Sequence, residues 1–111
     1  AYNLYILSNG FRELQEQKMR SAGVEGYFKK IVLSEDIGVH KPFPEIFYFA
    51  MSATQSELHT SLMIGDNWKN DVEGAKNVGM GNVYYNIKGE KGLPFKPGFD
   101  MRDWREIASF L

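Results

Sequence analysis

The chain has 111 residues, 43% hydrophobic and 14% aromatic, with 13 basic against 14 acidic side chains and a net charge of -1. This is enough apolar material for the core of one small domain, and so even a charge balance removes the electrostatic case for a nucleic-acid or anionic-membrane partner, leaving a small substrate as the expectation. Cysteine is absent, which excludes disulfides and thiolate chemistry and fits a cytoplasmic protein; His40 and His59 lack the spaced partners of a zinc site, and no stretch nears the roughly 18 apolar residues of a membrane span.

Taken in order, residues 2–7 read as a short buried strand stopped by Ser8-Asn9-Gly10. A helix follows over 11–22, with Phe11, Leu14 and Ala22 on one face, Met19 beside it and Gly23 as its stop. Residues 28–34 give a second strand through Ile31-Val32-Leu33, and a loop with Gly38 and Lys41 leads to Pro44, well suited to a first helical position. The helix from there to about 53 carries Ile46, Phe47, Phe49, Ala50 and Met51, and the run Phe47-Tyr48-Phe49 reads as core.

After a short turn at Ser56-Glu57, residues 61–65 form a third strand ending at Gly65. Asp66 follows at once, and Asp71 lies just inside a helix over 70–78 that carries Val72, Ala75 and Val78. A fourth strand spans 82–85, with Tyr84-Tyr85 as core, then a Gly- and Pro-rich loop covers 88–100. A last amphipathic helix over 103–111 docks through Trp104, Ile107 and Leu111. Strands alternating with helices predict an α/β fold, a parallel Rossmann-like sheet covered on both faces in three layers.

Ligands of open α/β sheets bind beyond the carboxyl ends of the strands, so Ser8, Lys41, Asp66 and Asp71 are expected at one edge. A hydroxyl, a fixed ammonium and two hard carboxylates are the parts needed to hold a phosphate and a magnesium ion. Each part also has a plain structural reading. Asp66 and Asp71 could form an N-capping turn, Ser8 a cap, and Lys41 a solvated surface charge.

Leu7-Ser8-Asn9-Gly10, the Lys41-Pro42 loop leading into Pro44-Glu45-Ile46-Phe47, and Gly65-Asp66 with Asp71, Gly74-Ala75 and Gly79-Met80 together resemble the second to fourth motifs of the haloacid dehalogenase-like (HAD) hydrolases, in order and spacing, over residues 4–86. Ser8-Asn9-Gly10-Phe11 with Gln15, and Ser34-Glu35, look most like the pyrimidine 5'-nucleotidase type. The resemblance implies that Ser8 bonds a phosphate oxygen, Asn9 shapes that pocket and Lys41 binds the phosphate. It also implies that Asp66 coordinates Mg2+ directly, while Asp71 orients a metal-bound water or Lys41. The metal-free dehalogenases lack the Gly-Asp-x4-Asp arrangement, so a phosphate ester is the expected substrate.

The family's nucleophile and general acid come from an Asp-x-Asp motif on an earlier strand, followed by a cap domain. Neither occurs in these residues. The expectation is therefore the C-terminal part of a HAD-like core domain, inactive alone, whose aspartyl-phosphate would form on a residue outside this chain. The missing strand would come from the N-terminal segment of the same protein or from a second chain, slotting between strands 2–7 and 61–65; otherwise those two strands would pair directly, in the order 4-3-1-2. The alternative reading is a non-catalytic module that binds phosphate and metal.

Overall fold

The computed structural model describes residues 2–109. It forms two compact units, Ala1–Gln55 and Ser56–Leu111, each a mixed α/β assembly built on parallel ladders.

In the first unit, β1 (Tyr5–Ser8) pairs in parallel with β2 (Lys30–Leu33), in a register that sets Ser8 beside Leu33. Both strands therefore end at the same edge, and the loops leaving them start side by side. The helix α1 (Arg12–Ala22) crosses between them, and Gly23 closes it in the left-handed region (φ 71°), a conformation that costs glycine no Cβ clash. The expected apolar face of α1 is corrected: Met19 is buried, but Phe11 and Leu14 are exposed, as is Ala22. Two four-residue strands screen only part of an eleven-residue helix, and most of its side chains are polar.

The second helix, α2 (Pro44–Thr54), opens with Pro44 in its first turn, where a missing N–H costs nothing. Ile46, Phe47 and Ala50 fall on one face and are buried with Val32 and Leu33 of β2 to form the core of this unit. Tyr48 points away and is 53% exposed, so the expected three-residue aromatic core reduces to Phe47 with a half-buried Phe49.

In the second unit, β3 (Leu62–Gly65), β4 (Gly81–Tyr85) and β5 (Phe99–Met101) form a parallel sheet with β4 in the middle. The fifth strand lies where a loop over 88–100 is expected. Three residues behind Pro97 and Gly98 carry no strand signal of their own, and pairing with Val83, Tyr84 and Tyr85 makes the strand. The connection from β3 to β4 also departs from a plain helix over 70–78: it is π-helical over Trp68–Glu73 and becomes α3 (Gly74–Asn77). Single wide turns of this kind cluster at functional sites. Among the described residues Val72, Ala75, Val78, Met80, Val83, Tyr84 and Met101 form the buried core of this unit.

The last segment is a 3-10 helix over Trp104–Ser109 rather than an α-helix, and Trp104 packs its ring on Tyr85 at 4.9 Å while staying half exposed. The expected anchor Leu111 lies outside the described residues. No helix among the described residues is long and apolar enough to cross a membrane.

Candidate functional site

The strand ends of the first unit bring three of the expected residues together. Ser8, the last residue of β1, turns its Oγ back to accept the Gly10 N–H at 2.9 Å, which shapes the turn locally. A Cβ on Gly10 would press on the Gln15 amide and the Ser8 hydroxyl, so glycine lets the chain close there. Asn9 spans the gap to the second loop: its Oδ1 accepts the Lys41 N–H at 2.8 Å, and its Nδ2 donates to the Lys41 carbonyl at 3.2 Å. Lys41 is 8% exposed and precedes a cis peptide bond to Pro42.

His40, expected in a loop, donates its Nδ1–H to the Lys41 carbonyl at 2.8 Å and packs edge-on against Phe43. A second tie, absent from the sequence reading, joins the loops. Glu35 Oε1 accepts the Arg12 N–H at 2.9 Å at the start of α1, the Arg12 guanidinium meets Asp36 at 2.9 Å, and Asp36 Oδ2 accepts the Leu33 N–H at 2.9 Å. The Leu33 N–H, with help from Arg12, holds the Asp36 carboxyl below its ordinary pKa.

In the second unit the acidic turn follows β3. Asp66 is exposed directly beyond the strand end, while Asp71 is 5% exposed and folds back so that its Oδ2 accepts the Asn67 N–H at 3.1 Å. Asn67 caps the turn through Oδ1, which accepts the Asn70 N–H at 2.9 Å. Any Cβ on Gly65 would collide with the Asp71 carboxylate, so the close passage of that side chain requires glycine. The cap of this turn is thus Asn67, in place of the expected Asp66 and Asp71. Asp66 makes no such cap.

A model of the haloacid dehalogenase-like hydrolase family matches residues 1–84. The chain belongs to that family. It is 36% identical over 84 residues to a glyceraldehyde 3-phosphate phosphatase of Pyrococcus abyssi, covering 76% of this chain and 35% of that protein. It is 35% identical over 82 residues to the pyrimidine 5'-nucleotidase YjjG of Escherichia coli, covering 73% of this chain and 36% of that protein. Among solved structures, the putative HAD-hydrolase YfnB of Bacillus subtilis bound to magnesium superposes with a TM-score of 0.90 at 28% identity, over 97% of this chain and 47% of that one. The chain spans about a third to a half of the length of these relatives.

Among the described residues no group of three His, Cys, Asp or Glu side chains stands ready to enclose an ion. Two carboxylates on one turn, one exposed and one held, suit magnesium, which keeps several waters and takes few protein ligands, better than they suit a calcium cage. The residues therefore fit Mg2+ as partial ligands. His59, which lacks the spaced partners of a zinc site, is exposed and pairs with Glu57 at 3.2 Å.

Sequence reasoning missed the surroundings of this turn. Trp68 lies against Tyr84 and Phe95, and Tyr84 donates its hydroxyl to Glu90 Oε2 at 3.0 Å. Burial first, then that bond, raises the Tyr84 pKa above 10.0. Asn86, buried directly after β4, was signalled only by a polar residue ending an apolar run.

Proposed function

We propose that this chain is the C-terminal part of the core domain of a magnesium-dependent phosphate-ester hydrolase of the cytoplasm, acting on a small phosphorylated substrate, with nucleoside monophosphates the favoured class. The nucleophile and general acid are assigned to a strand from the rest of a longer protein, and the reaction to an aspartyl-phosphate route. The observation that carries this reading is the acidic turn, where Gly65 gives way to Asp71 and leaves Asp66 open beyond the strand end. Relatives named as phosphatases and a nucleotidase support it.

In this reading the Lys41 ammonium binds the phosphate and offsets its charge, the Ser8 hydroxyl donates to a phosphate oxygen, and Asn9 fixes the Lys41 backbone from which the side chain reaches. Asp66 and Asp71 would hold the ion, Asp66 as the direct ligand and Asp71 as the group that orients a bound water. The ion, when bound, neutralises charge on phosphate oxygens.

The test uses the purified chain with p-nitrophenyl phosphate and a panel of nucleoside monophosphates. Expected is magnesium-assisted binding of inorganic phosphate that Lys41→Met weakens, without turnover above background. Magnesium-dependent turnover abolished by Asp66→Asn would show that the chain carries its own nucleophile and would contradict the assignment. Absence of phosphate binding under all conditions would contradict the role of Lys41.

A further inference from the structure

Two residues beyond Asp66, the Trp68 ring meets Tyr84 of β4 edge-on at 5.1 Å and Phe95 of the 86–98 loop at 4.6 Å. Its indole N–H is buried and finds no hydrogen-bond partner among the described residues. A buried donor left unpaired is costly, so no directional bond fixes this side chain; the packing of its ring does. Phe95 in turn carries the Lys76 ammonium of α3 over its ring at 4.8 Å.

The loop that delivers Phe95 is itself anchored. Asn86, 1% exposed, accepts the Glu90 N–H at 2.8 Å and donates to the Glu90 carbonyl at 3.0 Å. The Glu90 carboxylate then takes the Tyr84 hydroxyl, and Tyr84 is the ring that also touches Trp68. A continuous set of contacts therefore runs from Asn86 through Glu90 and Tyr84 to Trp68, with Phe95 as its second arm.

Trp68 opens the π-helical turn, directly after the Asn67 cap and three residues before Asp71. Displacing it moves the backbone that spaces the two carboxylates. We infer that Trp68 and Phe95 are positioning residues for the acidic turn: the 86–98 loop clamps the indole and so sets Asp66 and Asp71 in place before a divalent cation arrives. The part of this inference that concerns the cation rests on the metal reading given above. Preorganised ligands bind more tightly because less order remains to be imposed on binding, and residues behind metal ligands act in this way.

The experiment compares the chain with its Phe95→Ala, Phe95→Leu and Asp66→Asn variants. Amide hydrogen exchange is read without metal at Asn67, Asn70 and Asp71, whose N–H groups all donate within the turn, and Mg2+ affinity is read by calorimetry. Phe95→Ala is expected to speed exchange at those amides and to weaken Mg2+ binding, each about tenfold, with Phe95→Leu between it and the parent. Unchanged exchange in the β4 ladder verifies that the sheet is kept; if the ladder is lost in Phe95→Ala, Phe95→Leu serves alone. Unaltered protection of the turn overturns the inference whatever the cation does. So does faster exchange with unaltered Mg2+ affinity when Asp66→Asn does weaken binding. Faster exchange with Asp66→Asn binding as well as the parent leaves the loop-to-turn coupling standing and refutes the metal reading alone.

Discussion

The side-chain amide of Asn9 holds the backbone of Lys41 at both of its polar atoms, accepting the N–H at 2.8 Å and donating to the carbonyl at 3.2 Å. One side chain thereby replaces the two hydrogen bonds a neighbouring strand would give, and ties the loop after β2 to the end of β1 across 32 residues of sequence.

Asn9→Ala should therefore take both Asn9 bonds from the Lys41 backbone in a part-buried place, leaving the carbonyl its bond from His40, and cost about 1–3 kcal/mol. Urea unfolding measures this. Asn9→Asp keeps the acceptor and loses the donor, so it should fall between; equal stability of all three proteins would contradict the clamp.

Gly65→Ala places a methyl where the Asp71 carboxylate lies, so Asp71 must move and the Asn67 N–H loses its acceptor. The expected loss is about 1–3 kcal/mol. Gly26→Ala, in open space, should stay within about 0.5 kcal/mol of the parent. Thermal unfolding of the two variants side by side decides, and similar losses would count against the packed carboxylate.

The α2 helix offers a second internal comparison. Phe47 is fully buried and Tyr48 is 53% exposed, so Phe47→Ala should cost about 3–5 kcal/mol by opening a cavity, and Tyr48→Ala about 0.5 kcal/mol or less. Chemical denaturation reporting a larger loss at Tyr48 would mean that the helix faces are assigned the wrong way round.

Asp36 gives a pH dependence. Its folded-state pKa is lowered from 3.8, first by the Leu33 N–H and further by Arg12, so its contribution is full above the unfolded value and lost as pH falls through the folded one. Asp36→Asn should lower stability at neutral pH by about 0.5–1 kcal/mol, since the pair is partly solvated. The difference from the parent should shrink in acid below 3.8. A gap that widens in acid would reverse the sign and refute the assignment.

The alternation of apolar runs with Gly and Pro stops was sufficient to place four strands and the α2 helix, because each carries its own periodicity and its own punctuation. Gly65, Asp66 and Asp71 were legible as a group since chemistry and turn geometry demand the same short string. What stayed hidden depends on contacts distant in sequence. Phe99–Met101 is a strand through its ladder with β4, the exposure of Phe11 and Leu14 reflects how little sheet faces α1, and Trp68 gains its surroundings from Tyr84 and from Phe95, 27 residues further on. No local pattern encodes such pairings.

The central assignment, that Asp66 binds the metal, is tested most directly by titrating Mg2+ into the parent chain, Asp66→Asn and Glu73→Gln. Asp66 is exposed directly beyond the β3 end, whereas Glu73 lies two residues past Asp71 at the close of the π-helical turn. Calorimetry should show affinity weakened about tenfold or more in Asp66→Asn and close to the parent value in Glu73→Gln. Equal affinities for the two variants would contradict the assignment of Asp66 to the ion.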